Sequence, residues 1–341
     1  MVLVSILIGS YNHGIYISEA IQSVLNQNFR DLELIVIDDC SPDNSREIIE
    51  NYGKMDDRVK FFFHDINKGA IKTYNEAIER AKGKYIAFLN SDDVWEKTKL
   101  EKQVKILEKD ENLIVWTEGR LIGHNSQSIQ VKEFNNKFLT GLFTTAMGAI
   151  EKKKSGNIFK DIIENNFLLF SSLILKKENL GNIRLDDHYT LLADYQFEVD
   201  LARKYKFYYI KEPLTKYRMH PHNTFDNSYR IVKKDTIKFR EKILRDYGFE
   251  ISKKLRWFQY LNIIKNYFDL NQENKARNYI YKSILLFPFK IVSYWYLFRS
   301  FFKIKYFPKF LLIFDYILFI YLVRVKKLKP FVVMDKFLFI K

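Results

Sequence analysis

Hydrophobic positions in the first 118 residues switch repeatedly between a two-residue period and the roughly 3.6-residue period of a helix. The runs "VLVSILI" (2–8), "LELIVID" (32–38), "VKFFFH" (59–64), "YIAFLN" (85–90) and "LIVWTE" (113–118) are short and rich in β-branched or aromatic residues, and they predict five strands. Helical spacing between them predicts helices over Tyr16–Asn26, Ser45–Tyr52, Ala70–Ala81 and Lys97–Lys109. Ser41, Asp43 or Ser45 can cap the second of these, and Gly83 stands where the third should stop before a strand. Such alternation implies a parallel sheet covered on both faces, with ligands bound beyond the carboxyl ends of its strands. The loops "GSYNH" (9–13), "DDCS" (38–41), "DINKG" (65–69) and "NSDD" (90–93) are therefore expected to converge on one crevice.

Beyond residue 120 the alternation weakens. "FSSLILKK" (170–177) reads as a strand, and "TLLADYQFEVDLARKY" (190–205) as an amphipathic helix. "FYYIKEPLTKYRMH" (207–220) reads as a strand, a turn at Pro213 and a second strand; residues 229–248 read as helical. The expected organisation is a domain over 1–230, in halves 1–118 and 119–230, followed by a mainly helical region over 231–341.

Composition changes this picture mainly through where the charge lies. With 47% hydrophobic and 28% charged residues, the 341-residue chain is neither disordered nor a polytopic membrane protein. A lone cysteine, Cys40, excludes a disulfide framework and fits a reducing setting. The opening "MVLVSILIGSYN" has no basic start and no cleavage pattern, and it is read as a strand instead of a signal peptide. Residues 235–341 hold 22 Lys+Arg against 8 Asp+Glu and 28 of the 56 aromatic residues, whereas residues 1–234 are nearly neutral.

Neither G-x-G-x-x-G after the first strand nor G-x-x-x-x-G-K-[ST] occurs, so dinucleotide and P-loop phosphate cradles are unsupported. The chain offers instead two adjacent carboxylates, Asp92 and Asp93, at a strand end. Oxygen donors of this kind suit a hard divalent cation such as Mg²⁺ or Mn²⁺ shared with a substrate's phosphates, and the cation would relieve the repulsion between them. Read alone, the pair also fits a solvated turn that caps the helix after Trp95.

The ordered series "VSILIGSYN", "ISEAIQSVLNQNFRDLELIVIDDCSPDNS" and "NKGAIKTYNEAIERAKGKYIAFLNSDDVW" resembles the N-terminal half of family 2 glycosyltransferases. The match is nearly continuous over 3–95, with further pieces at 190–220. That resemblance implies an α/β GT-A fold, a Rossmann-like mixed sheet with helices on both faces, and an inverting, hexosyltransferase-like enzyme. It also implies a nucleotide-diphosphate sugar donor, with UDP-sugar favoured. By the same resemblance, Gly9, Ser10 and Tyr11 lie where the family packs the base, and Asp39 matches the acid that accepts from the base ring. Lys72 falls near the nucleotide or on a solvated helix face. Asp92 and Asp93 match the ribose-contacting and metal-binding pair, with Asn90 in place of a commoner aspartate. Asp194 matches the general base that an inverting transferase needs; Asp186 and Asp187 are its rivals, and a helix cap is the plainer alternative. In "YRMHPHN", Arg218 would neutralise phosphate and His220 would ligate the metal or contact the diphosphate.

The basic, aromatic C-terminal third has the composition of helices held at an anionic membrane surface. Phe310–Val323, ignoring Asp315, is 14 residues, short of the roughly 20 needed to span a bilayer. The expectation is peripheral, monotopic attachment through 231–341 at the cytoplasmic face, with a glycan or lipid-linked acceptor. A packed helical subdomain and a homodimer surface are the alternatives, and no nucleic-acid motif is present. A catalytically silent nucleotide-sugar-binding protein is the rival reading, and Asn90 is its only support.

Overall fold

The computed structural model describes residues 2–129, 155–220, 228–288 and 290–302. The chain divides into two compact units, Met1–Asp235 and Thr236–Lys341.

The first unit is built on one eight-stranded sheet. Its strands are β1 (Val4–Ser10), β2 (Leu32–Asp38), β3 (Val59–Phe63), β4 (Tyr85–Phe88), β5 (Val94–Trp95), β6 (Leu113–Ile122), β7 (Ile174–Lys176) and β8 (Lys206–Arg218), in the spatial order β3-β2-β1-β4-β7-β6-β8-β5. β1 pairs in parallel with β2 and β4, and β2 with β3. β7 runs antiparallel to both β4 and β6, and β6 pairs in parallel with β8. Six strands therefore share one direction, and β7 and β5 oppose them. The sheet is mixed because β7 enters between β4 and β6, an arrangement that the local period of "FSSLILKK" does not encode.

Helices α1 (Gly14–Leu25), α2 (Ser45–Met55), α3 (Ala70–Arg80) and α4 (Lys99–Leu107) follow the early strands. β1 and β2 are buried along almost their whole length, as expected of strands covered on both faces. Ile6, Ile8, Leu34 and Val36 meet Ile17, Ile21 and Val24 of α1 in a core that also takes in Trp95, Leu100 and Val104. Burying such side chains contributes about 1.5–3 kcal/mol each. The glycine expected to end α3 serves the sheet instead. A Cβ on Gly83 would lie 2.5 Å from the Ser5 backbone nitrogen, so the residue permits close approach to β1.

Two local expectations are corrected. Residues 206–218 form one continuous strand, with no turn at Pro213; register shifts opposite Glu118 absorb the proline in a bulge, which accommodates its missing N–H. The reading of Asp92 and Asp93 as a solvated turn capping the next helix is not met, since Asp93 is buried and α4 starts at Lys99 after Thr98. Val94 and Trp95 form the edge strand β5, paired with Lys216 and Thr215.

After β6 come α5 (Phe159–Glu164), a 3₁₀ turn over Phe170–Ser172, and α6 (Ala193–Lys204). α7 (Tyr229–Tyr247) carries the boundary between the units. The second unit continues with α8 (Lys253–Asp269), α9 (Glu273–Leu286) and α10 (Ile291–Phe302), packed through Ile264, Phe268, Ala276 and Ile280. Among the described residues no helix is long and apolar enough to cross a membrane. The expectations for Phe310–Val323 and the rest of 303–341 lie outside the described residues.

Candidate active site

The co-directional strands end at one side of the sheet, and the segments that follow β1, β2, β4, β6 and β8 deliver His13, Asp39, Asp92, His124 and His220. β7 runs the other way, so the residues before it, including Ser171, arrive at the same side. Backbone with positive φ at Asn12 (55°) and Cys40 (62°), uncommon outside glycine, falls in two of these loops.

The two adjacent carboxylates are treated differently. Asp93 is fully buried; it accepts hydrogen bonds from Ser171 Oγ, the Arg218 backbone N–H (3.0 Å) and Asn90 Nδ2 (3.3 Å). Burial, and then the neighbouring Asp92 charge, pushes its pKa well up. Asp92 is only partly buried, and its Oδ2 lies 3.2 Å from His220 Nε2. His13, Asp92 and His220 place ligand-type atoms within 4.8 Å of one another. The resemblance implies a cation on Asp93 with Asp92 and His220. The structure turns Asp93 inward and brings Asp92 and His220 together with His13, a residue that no sequence motif singles out.

That cluster is framed by aromatic and polar contacts. His13 Nδ1 shares a 2.7 Å hydrogen bond with Ser91 Oγ, which fixes the orientation of the ring. The Tyr16 ring lies 4.7 Å from that of His220, and its hydroxyl meets His124 Nδ1. Burial raises the Tyr16 pKa; Arg218 opposes the shift and Asp92 adds to it.

Arg218 is not placed as a phosphate ligand. It is fully buried, and its Nε donates to the Asp92 carbonyl (2.7 Å). Its Nη1 donates to the Gly123 and His124 carbonyls (both 3.1 Å) and to Ser126 Oγ (2.9 Å), while Nη2 reaches Glu19. The guanidinium also lies over the Tyr16 ring, 4.9 Å from its centre. Arg218 thus ties the Asp92 loop to the segments after β6 and to α1.

Asn90 has a local explanation. Its Nδ2 donates to Asp93, and its Oδ1 lies 3.1 Å from the Tyr74 hydroxyl. An amide serves both contacts, where a carboxylate would set a second charge against Asp93.

On the nucleotide side, Gly9 lies next to the end of β1, against α3; an added Cβ would meet Thr73 Cγ2 at 3.2 Å and Tyr74 at 3.3 Å. Tyr11 is exposed beside it. Asp39 is buried, with Oδ1 accepting from the Lys68 N–H and paired with His64, and Oδ2 accepting from the Gly69 N–H, all at 2.7 Å. It organises the "NKG" loop. Lys72 lies exposed on α3.

Asp194 is the second residue of α6, half-buried, and accepts from the Tyr195 N–H at 2.7 Å. Burial lifts its pKa to about 6, against the pull of its backbone hydrogen bonds. It belongs electrostatically to the same crevice, because Asp92, Asp93 and Asp194 all raise the pKa of the buried Tyr74 phenol, after burial itself. The loop before α6 is pinned from two sides. Asn75 exchanges hydrogen bonds with Leu185, and Asp235 accepts from the Thr190 and Leu191 N–H groups. The rivals Asp186 and Asp187 sit in that loop with His188, which is exposed.

A mixed sheet of this order, with helices on both faces, is the GT-A type of fold that the solved structures below share. The chain belongs to glycosyl transferase family 2, whose family model matches residues 5–169. It is 30% identical over 240 residues to the putative teichuronic acid biosynthesis glycosyltransferase TuaG of Bacillus subtilis, covering 70% of this chain and 88% of that one. It is 40% identical over 124 residues to an Escherichia coli enzyme, the UDP-Glc:alpha-D-GlcNAc-diphosphoundecaprenol beta-1,3-glucosyltransferase WfgD, covering 36% and 48% of the two chains. The fold is shared with S. aureus TarS 1–349 in complex with UDP, at a TM-score of 0.58 and 17% identity over 84% of this chain and 81% of that one. It is also shared with the mannosyltransferase PcManGT of Pyrobaculum calidifontis in complex with GDP-Man and Mn²⁺, at 0.53 and 13% identity over 88% and 86%.

Proposed function

We propose that this glycosyltransferase is an inverting, metal-dependent enzyme. It would move a sugar from a nucleotide-diphosphate donor, with UDP-sugars favoured, to a hydroxyl of a lipid-linked or surface-polysaccharide acceptor. The observation that carries the reading is the pairing of a His13–Asp92–His220 cluster with a separate carboxyl, Asp194, whose pKa is raised to about 6. Two imidazoles and one carboxylate suit Mn²⁺ better than Mg²⁺, which prefers oxygen donors alone. Those three residues would hold the ion, and when bound it supplies charge neutralisation to a departing diphosphate.

Asp194 takes the proton of the acceptor hydroxyl as that oxygen bonds to the anomeric carbon. The bond from that carbon to the diphosphate oxygen breaks, the electron pair leaves with the nucleotide, and the configuration inverts. Asp93 and Arg218 act as positioning residues beneath Asp92. The UDP complex of TarS and the donor in the WfgD name support a UDP-sugar. The names of TuaG and WfgD support a surface-polymer or lipid-linked acceptor.

The protein should hydrolyse one of UDP-Glc, UDP-GlcNAc or GDP-Man slowly with Mn²⁺ and without acceptor. Failure of every donor to bind or turn over, with no effect of Asp194→Asn or Asp92→Ala, would remove the enzymatic reading. Asn90, whose amide is explained by Asp93 and Tyr74, gives no support to a silent protein.

Attachment to an anionic membrane surface is the second part of the proposal. It is motivated by the net charge of +14 over 235–341 and by the exposed Phe249, Tyr281 and Leu285 of the second unit. The full chain should float with anionic vesicles at low salt and lose them at high salt. Binding indifferent to lipid charge, or a stable dimer in place of vesicle binding, would exclude it.

A further inference from the structure

α6 carries a second carboxyl that the reaction as described does not use. Glu198 stands four residues, about one helical turn, after Asp194, so the two share a face of the helix. It is 1% exposed, and neither carboxyl oxygen has a hydrogen-bond partner. A buried carboxylate without donors is costly, and the cheaper state of such a group is the neutral acid. Asp194 differs: it is only partly buried, accepts a backbone N–H and lies in the first helical turn, where a negative charge is favoured.

Among the described residues, the elements packed against α6 supply no cation to offset a charge at Glu198. β4 and the 3₁₀ turn meet it through Phe88 and Phe170, which contact Phe197, and contribute only the tyrosine Tyr85 as a titratable group. α5 meets it where the Tyr195 hydroxyl reaches the Ile162 carbonyl and Arg203 lies over Phe159. Its charged residues are Lys160 and Glu164, both exposed, and the half-buried Asp161. On α6 itself, Asp200 is engaged by Gln196, and Arg203 and Lys204 lie in the last turn. Among the described residues, Asp194 is the group whose charge acts on Glu198.

We propose that Glu198 is the proton-holding partner of the catalytic base: the two carboxyls carry one proton in the active enzyme, and Glu198 keeps it while Asp194 is ionised. Glu198 is then a positioning residue that sets the alkaline limit of the base. Once it ionises, a second buried negative charge faces Asp194, and proton uptake from the acceptor is no longer matched to the site. This inference rests on Asp194 being the base.

Two measurements test it separately. Carboxyl-carbon NMR titration of the full chain should show Glu198 protonated at pH 7, with a midpoint that falls by at least one pH unit in Asp194→Asn. An ionised Glu198 at pH 7, or a midpoint indifferent to Asp194, would overturn the pairing without any reference to catalysis. In the pH profile of kcat/KM with a turned-over donor, Glu198→Gln should move the alkaline limb up by at least one unit while the acid limb stays. A merely structural role would lower the whole profile and move neither limb, and that result overturns the proposal. Asp194→Asn with full activity would instead sink the base assignment, while the NMR titration still decides the pair.

Discussion

Replacing Arg218 with methionine separates a residue that binds phosphate from one that builds the site. The change keeps an apolar stem and removes every side-chain donor, while the backbone N–H to Asp93 stays. Four bonds to internal oxygens disappear, those to the Asp92, Gly123 and His124 carbonyls and to Ser126 Oγ. At about 1 kcal/mol net for each, the loss is about 4 kcal/mol, within the ~3–5 kcal/mol typical of breaking a buried charged network. The contact with Glu19 adds little, because that carboxylate is 42% exposed and water screens the pair. In a unit of this size about 4 kcal/mol corresponds to a fall in Tm of about 10 °C. Thermal unfolding gives the first readout and Mn²⁺ titration the second, since the Asp92 loop should lose its anchor and with it cation affinity. A variant with wild-type Tm and an elevated donor KM would refute the reasoning and return Arg218 to the diphosphate.

Three further outcomes follow from the same geometry. His13→Ala should weaken Mn²⁺ binding by at least about tenfold, judged against the effect of losing groups that support a metal site; unchanged affinity by calorimetry would remove His13 from the cluster. Asn90→Asp places a carboxylate against Asp93, so it should lower stability at neutral pH and recover part of the loss as the pH falls; an unaltered urea midpoint would count against that account. Asp194 must be ionised to accept a proton, so kcat should rise with pH through about 6, and Asp194→Asn should cost about 10²–10⁴-fold with donor affinity kept. The stability linkage runs the other way: its pKa is raised from an ordinary 3.8, so the contribution is fully present below about 4 and is lost as the pH climbs to about 6.

The early strands and helices are legible in the sequence because their signals are local. "LELIVID" and "AIKTYNEAIER" carry their periods within a few residues, and β2 and α3 lie where those periods place them. The antiparallel insertion of β7 and the short β5 are not legible, since each exists only through pairing with a distant strand. Pro213 shows the same limit. A proline between apolar runs reads as a turn, but the partner strand β6 tolerates it through a bulge that belongs to the pair and not to either sequence.

The site divides along the same line. "NSDD" announces its chemistry by composition, but the division of roles between Asp92 and Asp93 is decided 78 residues away, where the Ser171 hydroxyl points at Asp93. Asn90 is bound to that hydroxyl through its backbone N–H, and the Trp95 indole donates to the Ser171 carbonyl at 2.7 Å. Against the Trp95 ring, the buried Lys99 ammonium lies 3.8 Å from the centroid and donates to Gln103. Burial lowers the Lys99 pKa well below its usual value, and the side chain packs on the tryptophan ring. Two adjacent carboxyls can therefore coexist because burial and the Asp92 charge favour the neutral form of Asp93, held by Ser171, Asn90 and the Arg218 backbone, which leaves Asp92 to face His13 and His220. His13 escapes a sequence reading for the reciprocal reason. A single histidine between a strand and a helix carries no periodic signal, and its meaning emerges only when the ends of β1, β4 and β8 are brought to the same side of the sheet.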